Sequence, residues 1–246
     1  VRPVRILAIV LRQFYLFRSS FTRVVPLFAW SVIDIILWGF ITKYLNGIKT
    51  SQFDFVPIFL GAVLLWDYFT RVMFGITTTF FEDVWSRNFL NIFASPIKIS
   101  EYLSGLVSSS ILTSTVGLVV MVAVASFGFQ LSFFGYGILF IPFILILFLF
   151  GIALGIFATA IVLRFGPASE WFVWPMPAIL APFAGVFYPL STMPVPMQYL
   201  ARILPPSYVF EGMRGVVAHE EVSIPLLAIG FGLVLIYIFL AGWCFS

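Results

Sequence analysis

The sequence predicts an all-α integral membrane protein. It forms a single transmembrane domain over residues 1–246, with six spans, an amphipathic interfacial helix at the N-terminus, a short cytoplasmic surface helix and a re-entrant helical pair before the last span. Three observations predict this class. Of the 246 residues 62% are hydrophobic and 9% are charged, where a soluble domain is roughly a quarter charged. Several apolar runs reach the roughly 20 residues a helix needs to cross a bilayer. The runs are continuously apolar, not alternating as a membrane β-barrel requires. Helices are the form that closes backbone hydrogen bonds within each segment in lipid.

Composition also excludes several functions. The net charge of +3 is small and scattered, which argues against nucleic acid as a partner. Cys244 is the only cysteine, so no intrachain disulfide or multi-cysteine metal site forms. No G-x-x-x-x-G-K-[ST] phosphate loop is present, so the chain does not hydrolyse ATP by that route. His219 is the single histidine and stands beside Glu220 and Glu221. A solvated loop end explains this cluster better than a metal site. No H-E-x-x-H or G-x-S-x-G motif appears, and no catalytic residue or bound metal or cofactor is expected on this chain.

Residues 1–23 carry five arginines and read as an amphipathic helix. Arg5, Arg12, Ser19 and Arg23 fall near one face and Ile6, Ile9, Val10 and Leu16 largely away from it. Such a helix lies in the interface with its arginines toward anionic headgroups. It leads into a span instead of a small-residue cleavage site. The predicted spans are residues 24–44, 55–77, 103–127, 133–162, 171–189 and 222–243. The fourth exceeds the bilayer and must tilt or project. Arg2, Arg5, Arg12, Arg18, Arg23, Arg71, Arg87, Lys98 and Arg164 fall on one side, against Lys43, Lys49, Arg202 and Arg214 on the other. The positive-inside rule then places both termini in the cytoplasm, as expected for a multi-pass protein of a bacterial-type cytoplasmic membrane.

Three charges fall within the spans. Asp34 is near the middle of the first, and Asp67 and Arg71 share a face of the second. A charge at mid-membrane costs about 2.5–3.5 kcal/mol. Two readings stand: Arg71 pairs with Asp67 and Asp34 to tie the spans together, or Arg71 snorkels while Asp34 faces a polar cavity. A proton relay is the sharper alternative, but no acidic residue or histidine continues it across the membrane.

Between spans two and three the chain reads TFFEDVWSRNFLNIFASPI. Thr79 and Glu82 fit a capping box, predicting a short helix to about Ala94. Phe81, Trp85, Phe89 and Ile92 form an apolar stripe, and Val84, Asn88, Asn91 and Ser95 a more polar one flanked by Arg87. Ser95 then caps the next helix, with Pro96 at its first position. The fifth span contains Trp174-Pro175-Met176-Pro177 and Pro182 and should be kinked or broken. Residues 190–221 follow Pro189 and offer two short helices, 195–204 and 207–218, separated by Pro205-Pro206, with Ser207 as cap to the second. At roughly 15–18 Å each, they are too short to span. They dip into the membrane and return, or lie on it as a plain amphipathic cap.

The E-D-V-W-S-R-N-F-L-N-I-F-A-S-P-I segment and the closing Y-P-L-S-T-M-P-V-P-M-Q-Y-L-A-R-I-L-P-P-S-Y-V-F-E-G-M-R-G, within a six-span layout, resemble the ABC-2 family of transporter permeases, the membrane subunits of ABC exporters. The resemblance implies a coupling helix over residues 80–95 that docks on a separate ABC ATPase subunit through Glu82, Asp83, Trp85, Arg87, Asn88 and Pro96. It implies two ATPase copies, holding ATP and Mg, and a second permease copy as homodimer partner. Pro189, Pro194, Pro196, Pro205, Pro206, Tyr208, Glu211 and Arg214 would form the outer gate. The substrate path would run between the permease copies, lined by spans one, two and five. The expected activity is outward movement of an amphipathic substrate: a lipid-linked glycan, a lipid or a drug. The aromatic content suits an acyl chain or a stacked sugar, and equally membrane lipids. A stand-alone secondary transporter or channel, or a non-transporting membrane scaffold, are the alternatives. The end at Trp243-Cys244-Phe245-Ser246 departs from the family pattern in lacking a basic tail.

Overall fold

The computed structural model describes residues 2–19, 21–48, 56–219 and 224–245, and among them it is helical with no strand. The expectations placed on Lys49, Phe55, Glu220, Glu221 and Val222, and on the side chains of Arg23 and Phe89, lie outside the described residues. The helices are α1 (Pro3–Ser19), α2 (Phe21–Ile48), α3 (Gly61–Trp85), α4 (Phe89–Ala94), α5 (Ile99–Phe129), α6 (Phe140–Phe165), α7 (Glu170–Val173), α8 (Met176–Ala184), α9 (Val195–Ile203), α10 (Pro205–Val217) and α11 (Ile224–Phe245). Among the described residues five stretches are long and apolar enough to cross a membrane: Phe28–Ile48, Val56–Trp85, Ile99–Phe129, Gly135–Phe165 and Ile224–Phe245.

The fifth predicted span is broken. α7 stops at Val173 and α8 starts at Met176, with Pro175 between them and Pro182 inside α8. Proline lacks the N–H that would continue the ladder, so the kink expected there is present. Gly185 ends α8 in the left-handed region, at φ 62°. The over-long fourth run also divides. Phe133–Leu139 forms a separate 3₁₀ segment, and Gly137 adopts φ 58°, ψ −151°, a conformation essentially confined to glycine. The excess length is therefore taken up by a bend before α6, not by one long tilted helix.

α3 is the centre of the bundle. It packs against α6 on one side and α5 on the other, while α6 also packs on α11. Phe69, Met73, Ile76 and Phe80 of α3 and Phe143, Leu147 and Phe150 of α6 are fully buried. The helices approach closely because α6 presents Gly151 and Gly155 to α3. A Cβ at Gly151 would lie 3.0 Å from the Phe69 carbonyl oxygen, and one at Gly155 3.1 Å from that of Met73. Small residues four apart are a device for close helix packing in lipid, where dispersion replaces the hydrophobic effect. On the other flank, the Ser110 hydroxyl of α5 donates to the Val72 carbonyl at 2.8 Å.

α1 is held to the bundle, not only to the interface. Ile9 seats over Gly105 of α5, where an added Cβ would fall 2.7 Å from the Ile9 Cβ. Ile9 and Gln13 are buried, while Leu7, Leu11, Phe14 and Tyr15 point outward. The helix thus has two apolar faces, one for α5 and one for lipid.

Candidate functional site

At the arginine-rich end of the bundle, two buried carboxylates anchor α1. Asp83 sits in the last turn of α3, and the Arg12 guanidinium donates to its Oδ1 at 2.7 Å and its Oδ2 at 2.6 Å. The Tyr102 hydroxyl of α5 donates to the same Oδ2 at 2.7 Å. Glu101 accepts from the Arg2 backbone N–H at 2.8 Å, from Arg5 at 3.0 Å and from the Lys98 backbone N–H at 3.1 Å. Charge-assisted and bidentate bonds of this kind are the strong ones. Three helices are thereby clamped at one end.

This overturns several sequence expectations. Arg5 and Arg12 face these carboxylates, not headgroups. Asp83 is 4% exposed and already satisfied, so it is unavailable to a partner protein. No surface helix starts at Thr79. Its hydroxyl donates back to the Gly75 carbonyl within α3, which continues to Trp85. Intrinsic helix periodicity cannot mark the break, because residues 79–85 suit both helices. The chain instead turns at Ser86–Asn88, with Arg87 in the left-handed region at φ 55°. Only the six residues of α4 form the separate helix. Ser95 closes α4 as its C-cap, and α5 begins at Ile99 after Lys98, so Pro96 starts no helix. Glu101 supplies the cap by accepting from the Lys98 N–H.

The turn presents apolar and basic groups outward. Trp85 is 53% and Leu90 77% exposed. A shallow groove runs beside them, lined by Phe80, Val84, Arg87 and Leu90 on one wall and by Val162, Leu163, Gly166 and Pro167 on the other. Asn88 lies within the turn, its side-chain oxygen accepting from the Asn91 amide at 3.4 Å.

A polar cavity of about 690 Å³ opens inside the bundle. Gln13 and Phe17 of α1 line it, with Trp30, Ser31 and Asp34 of α2, Asp67, Thr70, Arg71, Phe74 and Glu82 of α3, Ser109 and Thr113 of α5, and Trp174. The structure brings Asp34, Asp67 and Arg71 together here as predicted. Yet among the described residues no ion pair joins Arg71 to either aspartate. The Arg71 guanidinium donates to the Ser31 hydroxyl and lies 5.6 Å from the centre of the Phe28 ring. Its stem passes over Gly117 of α5, where a Cβ would sit 2.6 Å from Cδ. Arg71 is 8% exposed, so it does not snorkel. The reading in which Asp34 faces a polar cavity is the one the geometry matches. Neither the pair nor the snorkel describes Arg71.

The opposite end is closed by α10. Its residues Pro206, Val209, Phe210 and Met213 are buried, and it packs on α6, α8 and α11. Gly212 lets it approach Phe143, and Tyr208 lies over Gly230 of α11. Pro205 and Pro206 occupy the first positions of α10 and do not merely separate the two helices. Ser207 is not its cap. The Ser207 hydroxyl donates back to the Ala201 carbonyl at 2.6 Å and the Leu204 carbonyl at 2.7 Å. Pro194 precedes α9 and Pro196 is in its first turn. α9 keeps only Ala201 buried and exposes Val195, Tyr199, Leu200 and Ile203. One helix of the pair is therefore packed into the bundle and the other rides on its surface. Glu211 and Arg214 bind the segment after α8. Glu211 accepts from the Leu190 N–H, next to Pro189, at 2.7 Å and from Arg214 at 2.9 Å. Arg214 donates to the Gly185 carbonyl at 2.8 Å. Tyr208 donates to the Arg202 carbonyl at 2.7 Å.

Sequence reasoning missed three functional features. Tyr102 and Gln13 gave no local signal, because the Asp83 carboxylate that Tyr102 meets and the cavity that Gln13 lines are built from residues distant in the chain. The Gly151–Gly155 pair did give one, as G-x-x-x-G within an apolar run.

An all-helical bundle with a broken span, an intramembrane polar cavity and exposed turns at one end defines a multi-pass membrane transporter subunit. The ABC-2 type transporter model matches residues 5–218, and the chain belongs to that family. No curated protein matches the chain significantly. The family consists of transport permeases, generally not enzymes themselves, that work with an ABC ATPase.

Proposed function

We propose that this chain is the membrane subunit of an ATP-driven exporter that moves an amphipathic substrate outward and is driven by a separate ATPase. The observation that carries the coupling is the turn from Trp85 to Leu90, exposed at the end of the most buried helix. A partner pressing on this turn moves α3, which runs unbroken from Gly61 to Trp85. α3 is packed on α5 and α6 along its length, so displacement reaches the far end. The docking set is Trp85, Arg87, Asn88 and Leu90. Glu82 lines the cavity instead. The arginine-rich end faces the cytoplasm, with both termini, in keeping with the positive-inside rule. The working unit is two permease and two ATPase copies, with ATP and Mg on the ATPase. The glutamate–arginine pair of α10 holds the outer end, where Pro189 and the α8–α9 segment form the gate.

The test is co-purification with a candidate phosphate-loop ATPase, followed by ATPase and transport assays in vesicles. Trp85→Ala with Leu90→Asp is expected to weaken complex formation at least tenfold. Intact assembly and transport in that variant would refute the docking surface. Absence of any complex would favour a stand-alone transporter or a scaffold.

A further inference from the structure

The cavity is built for more than solvent. At about 690 Å³ it has the size of a small-molecule site. Gln13, Ser109 and Arg71 line it and are 2%, 4% and 8% exposed. Each has a polar atom without a partner among the described residues: Gln13 Nε2, Ser109 Oγ and Arg71 Nε. Thr70 Oγ1 and Asp67 Oδ2 are unpartnered as well. Buried polar atoms are almost always satisfied, so five orphans around one cavity point to a ligand, with Ser109 Oγ, Thr70 Oγ1 and Asp67 Oδ2 as acceptors for its protons and Gln13 Nε2 and Arg71 Nε as donors to any oxygen it carries.

The charges indicate which ligand. Among the described residues Arg71 is the one base on the wall, against the two intramembrane acids Asp34 and Asp67. Its guanidinium is committed to Ser31 and Phe28. It sits one helical turn from Asp67 and offsets that carboxylate. Asp34 makes no hydrogen bond or ion pair among the described residues. An anionic headgroup would meet more acid than base. A neutral polyol would leave Asp34 without a counter-ion in the membrane interior. A protonated amine supplies one. Trp30, Phe74 and Trp174 add aromatic faces that attract a cation and cover an apolar body.

We propose that the cavity binds an amphipathic organic cation. Asp34 is the counter-ion to its ammonium, Ser109 and Thr70 accept its remaining protons, and the aromatic wall holds its apolar part. This rests on the permease reading above and narrows its substrate class. The probe pair is dansylcadaverine, a primary amine, and its uncharged analogue dansyl pentylamide. Binding to the full chain in zwitterionic-lipid nanodiscs is read as tryptophan-to-dansyl energy transfer, with empty nanodiscs subtracted. The cation is expected to bind at least tenfold tighter than the neutral analogue. Asp34→Asn should abolish that preference, and Asp34→Glu should restore part of it. Ser109→Ala should weaken the cation about threefold and leave the neutral compound unchanged, which keeps the test open should Asp34→Asn not fold. Equal affinity for the two probes in the wild type overturns the proposal, and so does undiminished preference in Asp34→Asn. No ATPase is present, so failure of the permease reading appears separately, as a missing ATPase complex.

Discussion

Cutting the Arg12–Asp83 clamp gives a measurable loss whose size depends on which partner is removed. Among the described residues, Arg12→Met leaves the buried Asp83 carboxylate with the Tyr102 hydroxyl alone. Removing one partner of a buried pair costs about 3–5 kcal/mol. The Arg12 side chain is 28% exposed against 6% for Asp83, so water partly replaces the lost contact and about 3 kcal/mol is expected, the low end of that range. Asp83→Leu frees an arginine that can rehydrate, and should cost about 2 kcal/mol, near the value of one charged hydrogen bond. The double variant leaves no uncompensated carboxylate and should cost about 2 kcal/mol, well below the sum of the singles. Tyr102→Phe should lose about 1.5 kcal/mol. The assay is equilibrium unfolding in mixed micelles, arranged as a double-mutant cycle. Additive losses would refute the clamp, because additivity means that the two side chains do not interact.

Other outcomes follow from the same geometry. Gly155→Leu should separate α3 from α6 and lower the unfolding free energy by about 3 kcal/mol, the upper range for overpacking. Gly47→Leu, which meets nothing within 4 Å, is the control, and equal losses at both sites would deny the close approach. Arg87→Gly should remove a left-handed strain of about 1 kcal/mol, raising the melting temperature while reducing ATPase assembly. Arg87→Ala keeps the strain and should lose assembly without gaining stability, and identical melting temperatures in the two variants would count against the strain. Glu211→Ala releases the Leu190 N–H and one side of Arg214. Faster hydrogen exchange at residues 185–193 is expected, and unchanged protection there would show that the pair does not hold the segment after α8.

Composition and hydrophobic run length were enough to read the membrane class, most spans and the break in the fifth, because lipid forces each segment to satisfy its own backbone. The prolines located that break and the two short helices before the last span for the same local reason. Asp34, Asp67 and Arg71 were also legible as a group, since charges stand out in apolar runs. Their pairing was not legible. Arg71 turns to Ser31 because α5 offers Gly117 beneath its stem, a contact across 46 residues. The boundary at Trp85 and the burial of Asp83 were set the same way. Residues 79–85 suit either a surface helix or the end of a span. Arg12, 71 residues earlier, and Tyr102, 19 later, decide the outcome by closing on one carboxylate. Run length and composition select the segments able to enter the membrane, because that depends on local transfer energy. Tertiary structure alone decided which polar groups pair and which face the cavity, because a buried charge is settled by partners that only folding brings within hydrogen-bond reach.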